Sequence, residues 1–191
     1  MNTIHQKILI ITAPSGAGKT SITRHLMKAF PVLEFSVSAA TRNPRGTEKD
    51  GVDYYFTDIE DFKEKIKNKE FAEWEMVYEG KYYGTLKSEL KRIWALNKIP
   101  VLDIDVKGAI HIQQQYPENT LSLFIEPPSV EELQKRLESR GTETAESLAA
   151  RVNKAAYELS FKEQFNRQIT NDDLQRACSD AEKIVHEFLG S

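Results

Sequence analysis

The stretch Ile8-Leu-Ile-Ile-Thr-Ala-Pro-Ser-Gly-Ala-Gly-Lys-Thr-Ser-Ile22 decides how this chain begins to fold. It opens with an uninterrupted branched apolar run, which predicts a buried strand. A glycine-rich turn follows at 13–19, and apolar residues then recur at Ile22 and Leu26, with Pro31 ending the predicted helix. Strand, glycine turn and helix in this order predict the first unit of an α/β fold with a parallel sheet.

Within this stretch, residues 13–20 have the pattern of a phosphate-binding loop, except that Ala13 replaces the first glycine. Glycines allow backbone N–H groups to turn onto phosphate oxygens, and the following helix directs the positive end of its dipole at the same anion. Lys19 would add a charge near the β- and γ-phosphates, and Thr20 would offer a hydroxyl ligand to Mg²⁺. The loop therefore predicts a nucleoside triphosphate site. The replacement at Ala13 matters only if that position requires a positive φ.

The rest of the chain alternates strands and helices, with a β-rich stretch in its first half. Polar residues with proline and glycine predict a loop at 41–51. Asp58 and Ser129 are predicted helix caps. The other predicted strands span 35–39, 52–57, 99–105, 121–125 and 167–171, a hairpin spans 74–83, and the other helices begin near 59, 86, 107, 130, 142 and 174, with Gly190 beyond the last one.

Composition excludes several classes of protein. At 191 residues the chain is expected to form one compact domain, and its net charge of -3 disfavours duplex nucleic acid or an anionic membrane as the main partner. No apolar run approaches the ~20 residues needed to cross a bilayer, and the N-terminus lacks a signal-peptide core. Cys178 is the only cysteine, so an internal disulfide is excluded and a reducing, cytoplasmic location is predicted. The sequence does not indicate an oligomeric state.

Segments with recognisable sequences follow the phosphate loop in a fixed order. They lie at 35–45, 51–56, 71–74, 82–85, 102–105, 127–129 and 136–143. Together with the loop at 13–20 they resemble the guanylate kinase family along nearly the whole chain. The resemblance implies an α/β, three-layer P-loop NTPase fold in one domain, with a mainly parallel central sheet. The implied parts are a core at about 1–34, 86–127 and 158–191, a β-rich GMP-binding insert at about 35–85 and a helical lid at about 128–157.

The same resemblance implies ATP-dependent phosphorylation of GMP to GDP with Mg²⁺, and roles for individual residues. Thr85 stands where the family usually has serine and keeps the hydroxyl. Asp103 is expected near the phosphates and metal as well as GMP, and Asp105 near the guanine. Implied ATP contacts are Ser15, Gly16, Ala17, Gly18, Lys19, Thr20, Arg136 and Asn171, the last near the adenine; implied GMP contacts are Ser38, Arg42, Arg45, Tyr54, Glu73, Tyr83, Thr85, Asp103 and Asp105; implied catalytic residues are Lys19, Arg42 and the lid arginines Arg136, Arg140 and Arg151.

Physical chemistry supports the acceptor site independently. Guanine presents two adjacent donors, N1–H and the 2-amino group, and the carboxylate of Glu73 can accept both. Adenine would leave that carboxylate unpaired, and sites of this kind reject the wrong ligand strongly. Arg42 and Arg45 suit bidentate capture of a phosphate dianion. The acceptor phosphate is already largely ionised near neutral pH, so no general base such as histidine is required.

Each residue taken alone also has a structural interpretation. Glu73 could be a solvated strand residue, Thr85 a helix cap, and the lid arginines partners of nearby glutamates. Two other functions stay open from the residues: a kinase of another phosphorylated acceptor such as a ribose phosphate, and a non-catalytic guanylate-kinase-like binding module. The intact phosphate loop argues against the binding module, and Ser38, Glu73 and Tyr83 argue against the other acceptor.

Overall fold

A computed structural model of the chain describes residues 6–139 and 145–190. Strands and helices alternate along it, as the hydrophobic pattern predicts. The elements are β1 (Ile8–Thr12), α1 (Lys19–Ala29), β2 (Leu33–Phe35), β3 (Ala39–Ala40), β4 (Tyr55–Phe56), α2 (Ile59–Lys67), β5 (Phe71–Tyr78), β6 (Lys81–Leu86), α3 (Lys87–Ala95), β7 (Ile99–Asp103), α4 (Val106–Gln115), β8 (Thr120–Glu126), α5 (Val130–Glu138), α6 (Ala145–Leu159), a 3₁₀ turn (Lys162–Gln164), β9 (Arg167–Thr170) and α7 (Leu174–Gly190).

The central sheet has five strands in the order β2-β7-β1-β8-β9. Strands β2 and β7 pair in parallel, with Leu33 opposite Ile99, and β8 and β9 pair in parallel, with Leu123 opposite Arg167. Every residue of β1 is buried. Such continuous apolar strands are typical of a parallel sheet covered on both faces. The predicted α/β class with a mainly parallel sheet is confirmed.

The chain divides into two compact units. The first contains the described residues up to Ile8, then Val32–Leu102 and Lys107–Thr120; the second contains Leu9–Pro31, Asp103–Val106 and the described residues from Leu121 onward.

A second sheet of four strands, in the order β4-β3-β6-β5, belongs to the first unit. Strand β3 pairs in parallel with β4 and antiparallel with β6, and β5 and β6 form the predicted hairpin. Helix α2 packs against one face of this sheet, where Ala39, Phe62 and Phe71 form a buried cluster. The side chain of Asp58 accepts a bond from the Asp61 amide at 2.7 Å, which confirms the predicted cap.

In the second unit, α1 packs on α7, and α5 packs on α6. Leu133 and Leu137 of α5 and Ala155 of α6 form a buried cluster with Ala17 of the glycine turn. Ser129 caps α5 by accepting from the Glu132 amide at 3.1 Å, as predicted. Among the described residues, no helix has the length and apolar character required to cross a membrane.

Several predicted boundaries were wrong. The strand expected at 35–39 is interrupted at 36–38, because the amide of Val37 bonds a side chain instead of a neighbouring strand. The strand expected at 52–57 shortens to Tyr55–Phe56, because Val52 and Asp53 donate to the carbonyl of Lys49 in a turn. The strand expected to end at 105 ends at Asp103, and the last helix includes Gly190.

Candidate active site

The phosphate loop has the backbone that its sequence requires. Gly16 and Gly18 both adopt positive φ, +94° and +96°, a region that favours glycine. Ala13 is not among the residues with positive φ in the described chain, so the missing first glycine creates no strain. The amide of Ala17 donates to the carbonyl of Pro14 at 3.1 Å and closes the turn.

The N-terminus of α1 faces the loop with open donors. Gly18 occupies the cap position, no described side chain caps it, and the first turn of the helix contains no acidic residue. The amides of Ser21 and Ile22 both donate to the carbonyl of Gly18. Unsatisfied N–H groups and the positive end of the helix dipole make this position suitable for an anion.

Lys19 forms an ion pair with Asp103, the last residue of strand β7. Both side chains are about one quarter exposed, 23% and 26%, so the pair is accessible to a ligand. Thr20 is exposed at the first turn of the same helix. No group of three or more acidic, histidine or cysteine side chains forms a metal cage among the described residues. Mg²⁺ in kinases needs only one or two protein oxygens besides the substrate phosphates, so Thr20 and Asp103 fit its requirements.

Asn171 contacts the backbone of the phosphate loop. Its Nδ2 donates to the carbonyl of Ala17 at 2.7 Å, its backbone amide donates to the carbonyl of Glu126, and the residue is 5% exposed. A Cβ placed at Gly18 would lie 2.1 Å from this Nδ2. Sequence reasoning expected Asn171 near the adenine. The structure gives its side-chain amide a contact with the loop backbone.

The lid arginines differ in their surroundings. Arg151 of α6 donates from Nη1 to the hydroxyl of Ser15 at 3.1 Å, so the structure brings it to the phosphate loop. Arg136 of α5 lies 3.4 Å from Glu132 on its own helix and is not shown on the loop. Arg140 lies outside the described residues.

Sequence reasoning missed Glu158, near the end of α6. It is only 7% exposed, and burial raises its pKa, while Lys154 at 3.8 Å and Lys19 oppose that shift. Asp105 acts on the same carboxylate as a like charge. The charged groups near Lys19 therefore include a glutamate that no sequence motif predicted.

Most of the predicted GMP contacts lie on one face of the four-stranded sheet. Ala39 pairs with both Tyr55 and Gly84, and Glu73 pairs with Thr85. Continuing these pairings by one residue aligns a single row of residues across the sheet. Because directly opposite residues share a face, this row gathers the predicted contacts opposite the face that α2 covers. By continuation of these pairings the row contains Tyr54, Ser38, Thr85 and Glu73, of which Thr85 and Glu73 are paired within the strands while Ser38 and Tyr54 directly precede β3 and β4. Tyr83 lies two residues from Thr85 on the same face.

Glu73 is a buried carboxylate in this row. It is 6% exposed, and its Oε1 accepts from the hydroxyl of Thr85 at 2.6 Å. The interpretation of Glu73 as a solvated strand residue is therefore wrong. So is that of Thr85 as a helix cap, because Leu86 occupies the cap position of α3.

Arg42 is held by a partner that sequence reasoning missed. Its side chain is 7% exposed and bonds both oxygens of Glu48, Nη1 to Oε2 at 2.5 Å and Nη2 to Oε1 at 2.8 Å. It also lies over the ring of Tyr54, at 4.7 Å from the centroid. The Nε atom is buried without a hydrogen-bond partner among the described residues. The fork expected to hold a phosphate thus already holds a carboxylate and the carbonyl of Asn43.

The ion pair between Arg42 and Glu48 shifts the pKa of both side chains. The hydrogen bond from Arg42, and then the backbone bond from Arg45, lower the pKa of Glu48 to about 2. Glu48, and to a lesser degree Tyr83, raise the pKa of Arg42. Arg45 itself is exposed. Both arginines line an open cavity of about 480 Å³ together with Lys81, which places three cationic side chains around it.

The remaining predicted contacts, Asp103 and Asp105, belong to the second unit. Asp103 pairs with Lys19, and Asp105 acts electrostatically on Glu158. The structure therefore groups these two carboxylates with the phosphate loop. The other predicted GMP contacts are grouped in the first unit.

A parallel sheet whose first strand leads through a phosphate loop into a helix, with a cation and hydroxyl at the helix start, defines the class of phosphate-loop nucleotide-binding proteins. A family model described as guanylate kinase matches residues 5–188. The chain belongs to the guanylate kinase family.

Individual relatives agree with the family model. A guanylate kinase of Bacteroides fragilis is 46% identical over 184 residues, which cover 96% of this chain and 90% of the relative. A guanylate kinase of Porphyromonas gingivalis is 43% identical, with 96% and 98% covered. The crystal structure of guanylate kinase from Anaplasma phagocytophilum superposes with a TM-score of 0.76 at 31% identity, over 95% of this chain and 85% of that one.

Proposed function

We propose that this chain transfers the γ-phosphoryl group of ATP to GMP, giving ADP and GDP. The phosphate loop holds the donor, and the sheet face that carries Ser38 and Glu73 holds the acceptor. The observation that carries the assignment of the acceptor is the buried carboxylate of Glu73. An ionised carboxylate can accept about four hydrogen bonds, so alongside the bond from Thr85 it can also accept the N1–H and 2-amino groups of guanine.

On the donor side, the open amides at the start of α1 bind the phosphates of ATP. Lys19, released from Asp103, neutralises charge on the β- and γ-phosphates. Arg151 approaches from α6, where its bond to Ser15 already directs it to the loop. Thr20 and Asp103 are the residues that would hold Mg²⁺, which supplies charge neutralisation between the phosphates when bound.

On the acceptor side, Arg42 and Arg45 bind the phosphate of GMP, with Tyr54 and Tyr83 as neutral donors. Glu48 keeps the guanidinium of Arg42 in place. The attacking oxygen of GMP is ionised near neutral pH, so no side chain has to remove a proton. Catalysis then rests on positioning and on charge neutralisation by Lys19 and the arginines.

Water must be excluded from the transferred group, or ATP is hydrolysed. We expect the insert (about 35–85) and the lid (about 128–157) to close over bound nucleotides on a μs–ms scale. Small-angle scattering with and without a bisubstrate analogue measures this closure. An unchanged scattering profile would contradict it.

A cytoplasmic location remains a prediction.

The decisive experiment is a panel of acceptors with ATP and Mg²⁺ in a coupled assay of ADP release. GMP is expected to be phosphorylated far faster than AMP, CMP, UMP or ribose 5-phosphate. Faster turnover of ribose 5-phosphate would assign the site to another phosphorylated acceptor. ADP release that no acceptor stimulates would refute the kinase assignment.

A further inference from the structure

A fully engaged glutamate lies in the first unit outside the proposed binding set. Glu89 of α3 has a side chain only 2% exposed, and its carboxylate accepts four hydrogen bonds. Two come from Arg92, at 2.8 and 2.9 Å. The others come from the backbone amide of Val37 at 3.1 Å and the hydroxyl of Tyr55 at 3.2 Å. One buried side chain thus connects three separate segments of the chain.

These donors are neighbours of proposed GMP contacts. Val37 directly precedes Ser38, and Tyr55 directly follows Tyr54. The two segments also meet through the backbone, because the amide of Tyr55 donates to the carbonyl of Ser38 at 2.9 Å. Residues 36–38 lie between β2 and β3 and have no ladder of their own. Glu89 is therefore the side chain that fixes the amide beside Ser38.

The carboxylate remains charged in this environment. Burial alone would raise the pKa of Glu89, but the bonds from Arg92 and from the Val37 amide outweigh it and lower the pKa. A buried ion pair of this kind adds little net stability, because desolvation cancels most of the attraction. What it does provide is a defined geometry, since its four acceptor positions are matched by two donors from Arg92 on the same helix and by one donor each from two other segments.

We propose that Glu89 is a positioning residue for the acceptor nucleotide, which fixes the backbone at Ser38 and the strand that follows Tyr54. This proposal rests on the proposed function, since it takes Ser38 and Tyr54 as GMP contacts. Glu89 itself does not touch the substrate in this account. Its loss would loosen the acceptor site and leave the phosphate loop, which belongs to the other unit, unchanged.

The kinetic test compares Glu89→Gln with wild type. The amide keeps the size of the side chain but presents a donor where two donors converge, and it breaks the pair with Arg92. We expect KM for GMP to rise about tenfold, the scale of one lost charged hydrogen bond. KM for ATP should stay within about twofold, the margin of a site that keeps its contacts. Equal rises in both constants, or an unchanged KM for GMP, would overturn the proposal.

Two further variants sharpen the comparison. Tyr55→Phe removes one donor without a change in shape, and it decides the question if Glu89→Gln fails to fold; KM for GMP should rise about threefold, for a single neutral hydrogen bond. Glu34→Gln is the matched control, because Glu34 pairs with Lys98 at 2.5 Å in the same unit. It should leave KM for GMP unchanged. An unchanged KM in Tyr55→Phe, or an equal rise in the control, would refute a positioning role.

Hydrogen exchange separates this proposal from the function itself. Without any nucleotide, amides 36–40 should exchange faster in Glu89→Gln than in wild type, while amides 14–22 of the phosphate loop should not change. Unchanged exchange at 36–40 would refute the positioning role even if GMP is the substrate. If wild type does not phosphorylate GMP, the proposed function fails, and faster exchange at 36–40 would still establish what Glu89 holds.

Discussion

Replacing Gly18 with alanine should destabilise the protein through backbone strain and through one close contact. Gly18 has a φ of +96°, and a Cβ there would lie 2.1 Å from Nδ2 of Asn171. That amide is buried and bonds the carbonyl of Ala17 at 2.7 Å. The methyl group cannot be accommodated unless Asn171 moves, and if it moves, the carbonyl of Ala17 loses its partner.

The expected cost has two parts. A non-glycine residue in the left-handed region costs roughly 1–2 kcal/mol. A buried hydrogen bond broken on one side costs about 1–3 kcal/mol more, because a polar group is left unsatisfied. Gly18→Ala should therefore lower the free energy of unfolding by about 2–5 kcal/mol. For a chain of this length that is a fall in Tm of roughly 4–20 °C.

Gly80→Ala is the matched control. Gly80 has a φ of +70° in the hairpin turn, and a Cβ there would meet nothing within 4 Å. This variant should show the backbone cost alone, about 1–2 kcal/mol. Urea denaturation of both variants gives the difference, which isolates the contact with Asn171.

The double variant Gly18→Ala with Asn171→Ala completes the cycle. Removing the amide gives the methyl group room. The double variant should therefore lose less stability than the sum of the losses in the two single variants, by about 1 kcal/mol or more. Strict additivity, or equal losses in Gly18→Ala and Gly80→Ala, would refute the reasoning. The measurement requires no substrate and does not depend on the assigned function.

Three other perturbations follow from the site. Lys19→Ala should nearly abolish turnover while Tm stays within a few degrees of wild type, because the pair with Asp103 is partly exposed; near-normal activity would exclude Lys19 from the donor site. Glu73→Gln should reduce the preference in kcat/KM for GMP over AMP by about 1.5–3 kcal/mol, and an unaltered preference would remove Glu73 from the base site. The pKa of Glu158 is raised by burial, so its ionisation lowers stability as pH rises above the usual 4.5 and through the raised value. Glu158→Gln should therefore gain in Tm relative to wild type as pH increases through that window, and a constant difference in Tm would contradict this.

The sequence predicted the fold well where one local signal was enough. Apolar runs located β1 and β8, and Asp58 and Ser129 capped the helices that they were expected to begin. The strand predicted at 35–39 was wrong because a distant residue competes for a backbone donor. The amide of Val37 bonds Glu89, 52 residues away, and no pattern within 35–39 announces that.

The candidate site shows the same division. Residue types and order pointed to Lys19, Arg42 and Glu73, whose chemistry is readable from a motif. Glu48 and Glu158 were not predicted, because nothing local distinguishes a paired or buried glutamate from a solvated one. Glu89 left a faint signal: it sits next to Leu90 in a helix whose apolar face the sequence does define. A charged residue at such a position calls for a buried partner.

The parallel pairing of β3 and β4 sets a lower limit on the length of the segment between them. Neighbouring strands that run the same way cannot be joined by a tight turn, because the chain must travel back along the pair before the second strand starts. Residues 41–54 form this connection, and Arg42, Arg45 and Glu48 belong to it. Deletions here would cost the strand pairing itself, so this segment can lengthen in evolution far more readily than it can shrink.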